Sequence, residues 1–76
     1  MCSSDLRAAV KAIEAALAIE PHNGTLLKDA GAIFRQAGLL LKAEKAYQEA
    51  LRWDPSAAGE ARKALEEIRV QRAGRG

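Results

Sequence analysis

The chain repeats its own pattern with a period of 34 residues, and this repeat constrains the fold more than any other feature of the sequence. When residues 5–21 are aligned with residues 39–55, 7 of the 17 positions are identical. The matched pairs are Leu6/Leu40, Ala9/Ala43, Lys11/Lys45, Ala12/Ala46, Ala16/Ala50, Leu17/Leu51 and Pro21/Pro55. The chain contains 17 alanines, which favour chance identity, but that composition does not account for the paired prolines and leucines. The period predicts a fold built from one recurring unit.

Turn-forming residues divide the chain into four segments. Pro21 and Pro55 end the first and third segments, because the residue before a proline avoids helical geometry. Gly38 ends the second segment, since glycine adopts the left-handed conformation at a helix C-terminus at little cost. Asn23 is well suited to cap the start of the second segment. We therefore predict helices over residues 5–19, 24–37, 40–53 and 58–71.

Each predicted helix carries its apolar residues at a spacing of three and four, which gives one amphipathic stripe. A glycine inside a helix costs about 0.5–1 kcal/mol relative to alanine, so Gly31 is expected to allow close approach of two backbones. Tyr47 and Trp53 are predicted to lie in the core. The four stripes are Leu6, Ala9, Val10, Ile13, Ala16 and Leu17; Leu27, Ala30, Gly31 and Phe34; Leu40, Ala43, Ala46, Tyr47, Ala50 and Leu51; and Ala61, Ala64, Leu65 and Ile68.

Residues 24–57 resemble one complete tetratricopeptide repeat. The matching residues are Leu27, Ala30, Gly31, Phe34, Ala43, Tyr47, Ala50 and Pro55, with Gly38 at the turn between the two helices. Residues 5–23 look like the second helix of a preceding repeat. Residues 58–72 look like a following or capping helix, and residues 73–76 are expected to be a frayed tail. The resemblance implies an all-α domain of antiparallel helix-turn-helix repeats, stacked as a short right-handed α-solenoid.

The resemblance also implies a non-catalytic scaffold that holds a partner protein or peptide in a groove lined by helices 24–37 and 58–71. Lys28 and Arg35 are seven residues apart on one face, and Arg62 and Arg69 repeat this spacing 34 residues later. These four candidate partner-binding residues would make the groove mildly basic, which suits an acidic segment. Two alternatives stay open: the four charges are simply solvated, or the chain is the repeat arm of a larger enzyme or regulator whose catalytic part lies outside it.

The distribution of charge narrows the class of partner. The net charge is +2, and the excess lies in residues 57–76, which carry five basic and three acidic residues. A nucleic-acid binder usually shows a denser basic stripe with aromatic residues between the charges, so nucleic acid is not the expected partner. No apolar run is long enough to span a bilayer. A single cysteine excludes an internal disulfide framework and is compatible with a cytoplasmic protein.

The sequence offers no catalytic or metal-binding constellation. His22 is the only histidine, and no serine or cysteine nucleophile lies near it in the sequence. Glu66 and Glu67 are adjacent on a predicted helix, so their carboxylates point in different directions. One histidine beside one cysteine cannot assemble a zinc site. We therefore predict a protein that is not an enzyme, with no cofactor, metal or small-molecule substrate.

The N-terminal segment has two interpretations. Residues 1–6 resemble the translation of a sequencing adapter, in which case Cys2 is not native; Asp5 and Leu6 also suit the start of the first helix. This helix lacks a preceding partner, so one side of its apolar stripe is expected to be uncovered. We therefore predict marginal stability for the chain, or self-association through residues 5–19.

Overall fold

The computed structural model describes residues 3–75, which form four α-helices. No strand occurs within these residues, so the predicted all-α class is confirmed. Met1, Cys2 and Gly76 lie outside the described residues. The elements are α1 (Ser3–Ile19), α2 (Gly24–Gln36), α3 (Leu40–Trp53), a 3₁₀ turn (Pro55–Ala57) and α4 (Ala58–Arg75).

The helices begin and end where the local sequence predicts. The Asn23 side chain accepts hydrogen bonds from the backbone N–H groups of Thr25 (3.0 Å) and Leu26 (3.2 Å), which caps α2. Gly38 has a φ of 82°, the left-handed conformation that ends a helix. The Asp54 carboxylate accepts a hydrogen bond from the backbone N–H of Ser56 at 3.2 Å, which caps the 3₁₀ turn. The predictions for Asn23 and Gly38 are therefore confirmed.

The last helix is longer than predicted. We expected residues 73–76 to fray, but α4 continues to Arg75, so this prediction is wrong for residues 73–75. Arg72 Nη1 lies 3.0 Å from Glu44 Oε1 on α3, and this ion pair holds the final turns of α4 against the preceding helix. The contact joins residues 28 positions apart, so neighbouring residues in the sequence could not indicate it.

Helices that are consecutive in the chain pack against each other: α1 on α2, α2 on α3, and α3 on α4. The contacts between α2 and α3 run in opposite directions, since Gly24 meets Asp54 and Gly31 meets Tyr47. These two helices are therefore antiparallel. A Cβ added to Gly31 would lie 2.6 Å from Tyr47 Cε2, so glycine is required where the ring crosses the backbone.

The core contains residues from all four helices. Ala30, Ala43, Ala50, Ala61 and Ile68 are fully buried. Leu6, Val10 and Leu17 on α1 are half-buried, whereas Ile13 is buried in the core, so the expected uncovered side of α1 is smaller than predicted. The main cluster comprises Ile13, Ala30, Phe34, Ala43, Ala46, Tyr47, Ala61, Ala64, Leu65 and Ile68.

Trp53 is a correction to the predicted core. Its side chain is 43% exposed, while Tyr47 is buried as expected. Trp53 is the last residue of α3 and lies beyond the layer that α2 and α4 cover. Its ring stacks on the imidazole of His22, with the ring centroids 4.0 Å apart, and its Nε1–H donates a hydrogen bond to Glu49 at 3.2 Å. The tryptophan thus joins the α1–α2 turn to the end of α3 on the surface.

Candidate partner-binding surface

Two ion pairs connect α2 and α4, which are not consecutive in the chain. Lys28 Nζ lies 3.2 Å from Glu60 Oε2, and Arg35 Nη2 lies 2.8 Å from Glu67 Oε1. Both steps along α2 and along α4 are seven residues in the same direction, so the two helices run parallel. The face that they share is the surface on which the sequence predicts partner binding.

The side chain of Tyr47 reaches this face from below. Its ring lies against Gly31 of α2, and its hydroxyl is close enough to the two ion pairs for their charges to act on it. Burial raises the pKa of the Tyr47 hydroxyl above its ordinary value of 10.0. Arg35 and Lys28 lower this pKa while Glu60 and Glu67 raise it, so the charges partly cancel and burial dominates. The phenol therefore stays protonated at neutral pH.

The four predicted binding residues do not line one common depression. Arg35 borders an open depression of about 460 Å³ with Lys63, Glu66 and Glu67. Arg62 and Arg69 instead border a depression of about 360 Å³ next to Leu51 of α3. Arg69 Nε also lies 3.9 Å from Glu44 Oε2, again on α3. The 34-residue spacing placed the two pairs at equivalent positions of α2 and α4, but those positions face different neighbours.

The shared face of α2 and α4 carries mixed charge and is not basic, as the sequence suggested. Lys28 and Arg35 each have a carboxylate partner on α4, and these partners had been read as part of a solvated outer side. Such partly exposed pairs contribute about 0–1 kcal/mol to stability. Their main effect is to fix the register of α4 on α2 and to leave little net charge for a ligand.

The structure shows no second kind of site on this face. Among residues 3–75, no group of three or more His, Cys, Asp and Glu side chains is placed to hold a metal ion. Within the same range, every buried side-chain nitrogen and oxygen has a hydrogen-bond partner. None of the helices over these residues is long and apolar enough to cross a membrane.

The contact between His22 and Trp53 was missed by the sequence analysis. A signal existed in the sequence, since the two residues each precede or follow a proline-containing turn 34 positions apart. The ring of Trp53 also has the Arg52 guanidinium 5.8 Å from its centroid. The indole is therefore held in place by neighbours from two elements while part of its surface stays open to solvent.

Comparison of the chain with known protein families, with curated proteins and with solved structures finds no match to any of them. The interpretation of the surface consequently depends on the residues and geometry described above.

Proposed function

We propose that the chain is a non-catalytic protein-interaction module, built like a short tetratricopeptide array, that binds a partner protein or peptide along the shared face of α2 and α4. The observation that carries this proposal is the parallel placement of α2 and α4 at a step of 34 residues, with the antiparallel α3 between them. In an array of repeats, equivalent helices line up in this way and present a continuous surface.

The packing order supports the same proposal. Each helix contacts mainly the helix before it and the helix after it, which is the arrangement expected of a solenoid. The core is formed by small residues and a few large ones, so helices lie close together and leave long side chains at the surface. A surface of fixed ion pairs is suited to recognition by exchange of partners, in which carboxylates or cations of a ligand compete with Glu67 or Arg35.

Site-specific photo-crosslinking in cells that make the full-length protein tests this proposal. A photo-reactive phenylalanine derivative would replace Ala32 or Lys63, both exposed on the proposed surface. Lys45 is the matched control, because it is exposed and lies two residues before Tyr47, about 200° around α3. We expect the same partner to crosslink from Ala32 and Lys63 but not from Lys45. Crosslinking from Lys45 alone, or equally from all three, would contradict the proposal.

A charge-reversal experiment then examines the contribution of the ion pairs. Arg35→Glu combined with Glu67→Arg keeps both charges on the surface but exchanges their positions. If the partner recognises the charge pattern of this face, the exchange should weaken its capture although the helices remain folded. If capture is unchanged, recognition uses other features of the surface.

A further inference from the structure

A second surface lies at the end of the molecule formed by the first half of α1 and the connection between α2 and α3. A depression of about 500 Å³ there has an apolar lining of Leu6, Val10, Ala37 and Leu39. Leu39 also borders a neighbouring depression with Leu41, and these two leucines are 38% and 66% exposed. The two depressions form one apolar surface, separate from the face of α2 and α4.

The charges around this surface are predominantly positive. Arg7 and Lys11 border the first depression, and neither takes part in any ion pair among the described residues. The carboxylate that also borders it, Glu14, is already paired with Lys42 at 3.2 Å. In contrast to Lys28 and Arg35, these two cations are therefore available to a ligand.

The shape of the surface indicates a helix or side chains as the occupant. A volume of about 500 Å³ is in the range of pockets that enclose ligand groups, which a flat bilayer surface would not fill. A second copy of the chain is a poor occupant, because a two-fold interface through this surface would bring Arg7 and Lys11 of one copy towards the same residues of the other.

We propose that this end of the molecule binds an acidic amphipathic helix of a partner protein. The apolar side chains of that helix would fill the depression between Val10 and Leu39, and its flanking carboxylates would pair with Arg7 and Lys11. This mode of binding is independent of the face of α2 and α4, so either proposal can fail without the other.

The probe for this proposal is a fluorescently labelled helical peptide of about 14 residues, with leucines on one face and glutamates beside them. Two matched peptides replace its glutamates with lysines or its leucines with serines. Binding to the full chain is measured by fluorescence anisotropy, alongside vesicles that contain phosphatidylserine. We expect the acidic peptide alone to bind.

Two variants locate the binding site. The double variant Arg7→Glu/Lys11→Glu should weaken binding of the acidic peptide about tenfold. Both residues are exposed near the start of α1, where glutamate is compatible with the helix. Leu39→Ser removes part of the apolar lining and should weaken binding by about fivefold; serine suits the N-cap position that Leu39 occupies. Circular dichroism checks that each variant is folded.

The matched control is Arg62→Glu/Lys63→Glu, which makes the same change in net charge on α4, where both residues are exposed. It should leave binding unchanged. Four outcomes would overturn the proposal: no binding of the acidic peptide, equal binding of the lysine peptide, an equal loss in the control variant, or binding to vesicles without binding to peptide. Dimerisation that Arg7→Glu/Lys11→Glu alters, measured by sedimentation, would assign the surface to a second copy and also overturn it.

Discussion

The contact between α2 and α3 and the contact between α3 and α4 use different residues at positions 34 apart. In the first, Gly31 lies under the ring of Tyr47, and the backbone and the ring are in direct contact. In the second, the equivalent residue is Leu65, which is itself buried and packs with Ile68. Glycine and tyrosine together fill one interface, whereas leucine and isoleucine fill the other.

The difference shows that a periodic sequence can conserve the position of a helix while it changes how the interface is filled. A helix with partners on two sides needs a small residue where a neighbouring ring crosses it. A helix at the end of the described stack has one such neighbour, so a large side chain fits at the same place. We expect the two interfaces to respond differently to substitution, and the following predictions test this.

The largest effect is expected for Ile68→Ala in the interface between α3 and α4. Ile68 is fully buried, and removal of buried methylene groups leaves a cavity that costs about 2–5 kcal/mol. Chemical unfolding followed by far-UV circular dichroism measures the loss. Val70→Ala on the same helix is the control; Val70 is 65% exposed, so the change should be within about 0.5 kcal/mol. Equal effects of the two substitutions would mean that α4 is not packed as described.

Gly31→Ala should destabilise the interface between α2 and α3 by about 1–3 kcal/mol, because the added Cβ overlaps the Tyr47 ring. The better helix propensity of alanine offsets only about 0.5–1 kcal/mol of this loss. Gly59→Ala is the matched control, since a Cβ at Gly59 meets no atom within 4 Å. We expect Gly59→Ala to be neutral or to gain up to about 1 kcal/mol.

A second background makes the Gly31 prediction more specific. In a chain that carries Tyr47→Ala, the ring is absent and Gly31→Ala should no longer be destabilising. A loss of the same size in both backgrounds would show that the cost of Gly31→Ala arises elsewhere in the helix.

The positions of the four helices could be predicted from the sequence because the signals that start and end them are local. Asn23 accepts bonds from amides two and three residues away, and Gly38 needs only its own backbone freedom. The contact of Gly31 with a large neighbour could also be predicted, since a glycine inside a helix requires a packing reason. Local rules failed at the ends of the chain, where α4 is extended by a contact with distant Glu44.

The candidate surface was only partly predictable. Spacing along one helix places Lys28 and Arg35 on a common face, but it does not indicate which helix that face meets or how the second helix is rotated. Glu60 and Glu67 therefore seemed to be solvated, although they are the partners of these cations. Trp53 was assigned to the core for a similar reason: helical spacing gives a direction, while burial depends on what lies in that direction.

A smaller effect is expected from the ion pairs between α2 and α4. A double-mutant cycle with Arg35→Ala and Glu67→Ala should give a coupling free energy of about 0.2–1 kcal/mol that decreases as salt is added. Glu66→Ala replaces Glu67→Ala in the control cycle, because Glu66 forms no ion pair among the described residues. The control coupling should be near zero. Equal coupling in both cycles would contradict the assigned register of α4 on α2.

The smallest effect concerns the Tyr47 hydroxyl and appears only in alkaline solution. Burial raises the pKa of Tyr47 in the folded chain, so the unfolded chain releases this proton at a lower pH. The contribution of Tyr47 to the free energy of unfolding is thus complete below about pH 10, and it is lost as the pH rises from there through the folded-state pKa. Tyr47→Phe keeps the ring but removes the titrating group, so its stability should fall less steeply over the same range.

The comparison with Tyr47→Phe is needed because lysines also lose their charge near about pH 10.4. Deprotonation of Lys28 weakens its pair with Glu60 equally in both proteins, so it cancels in the difference between their unfolding curves. Urea titrations at several alkaline pH values provide that difference. If the two stability curves stay parallel above pH 10, burial does not control the hydroxyl, and the ring of Tyr47 must lie less deeply between α2 and α4 than its contact with Gly31 indicates.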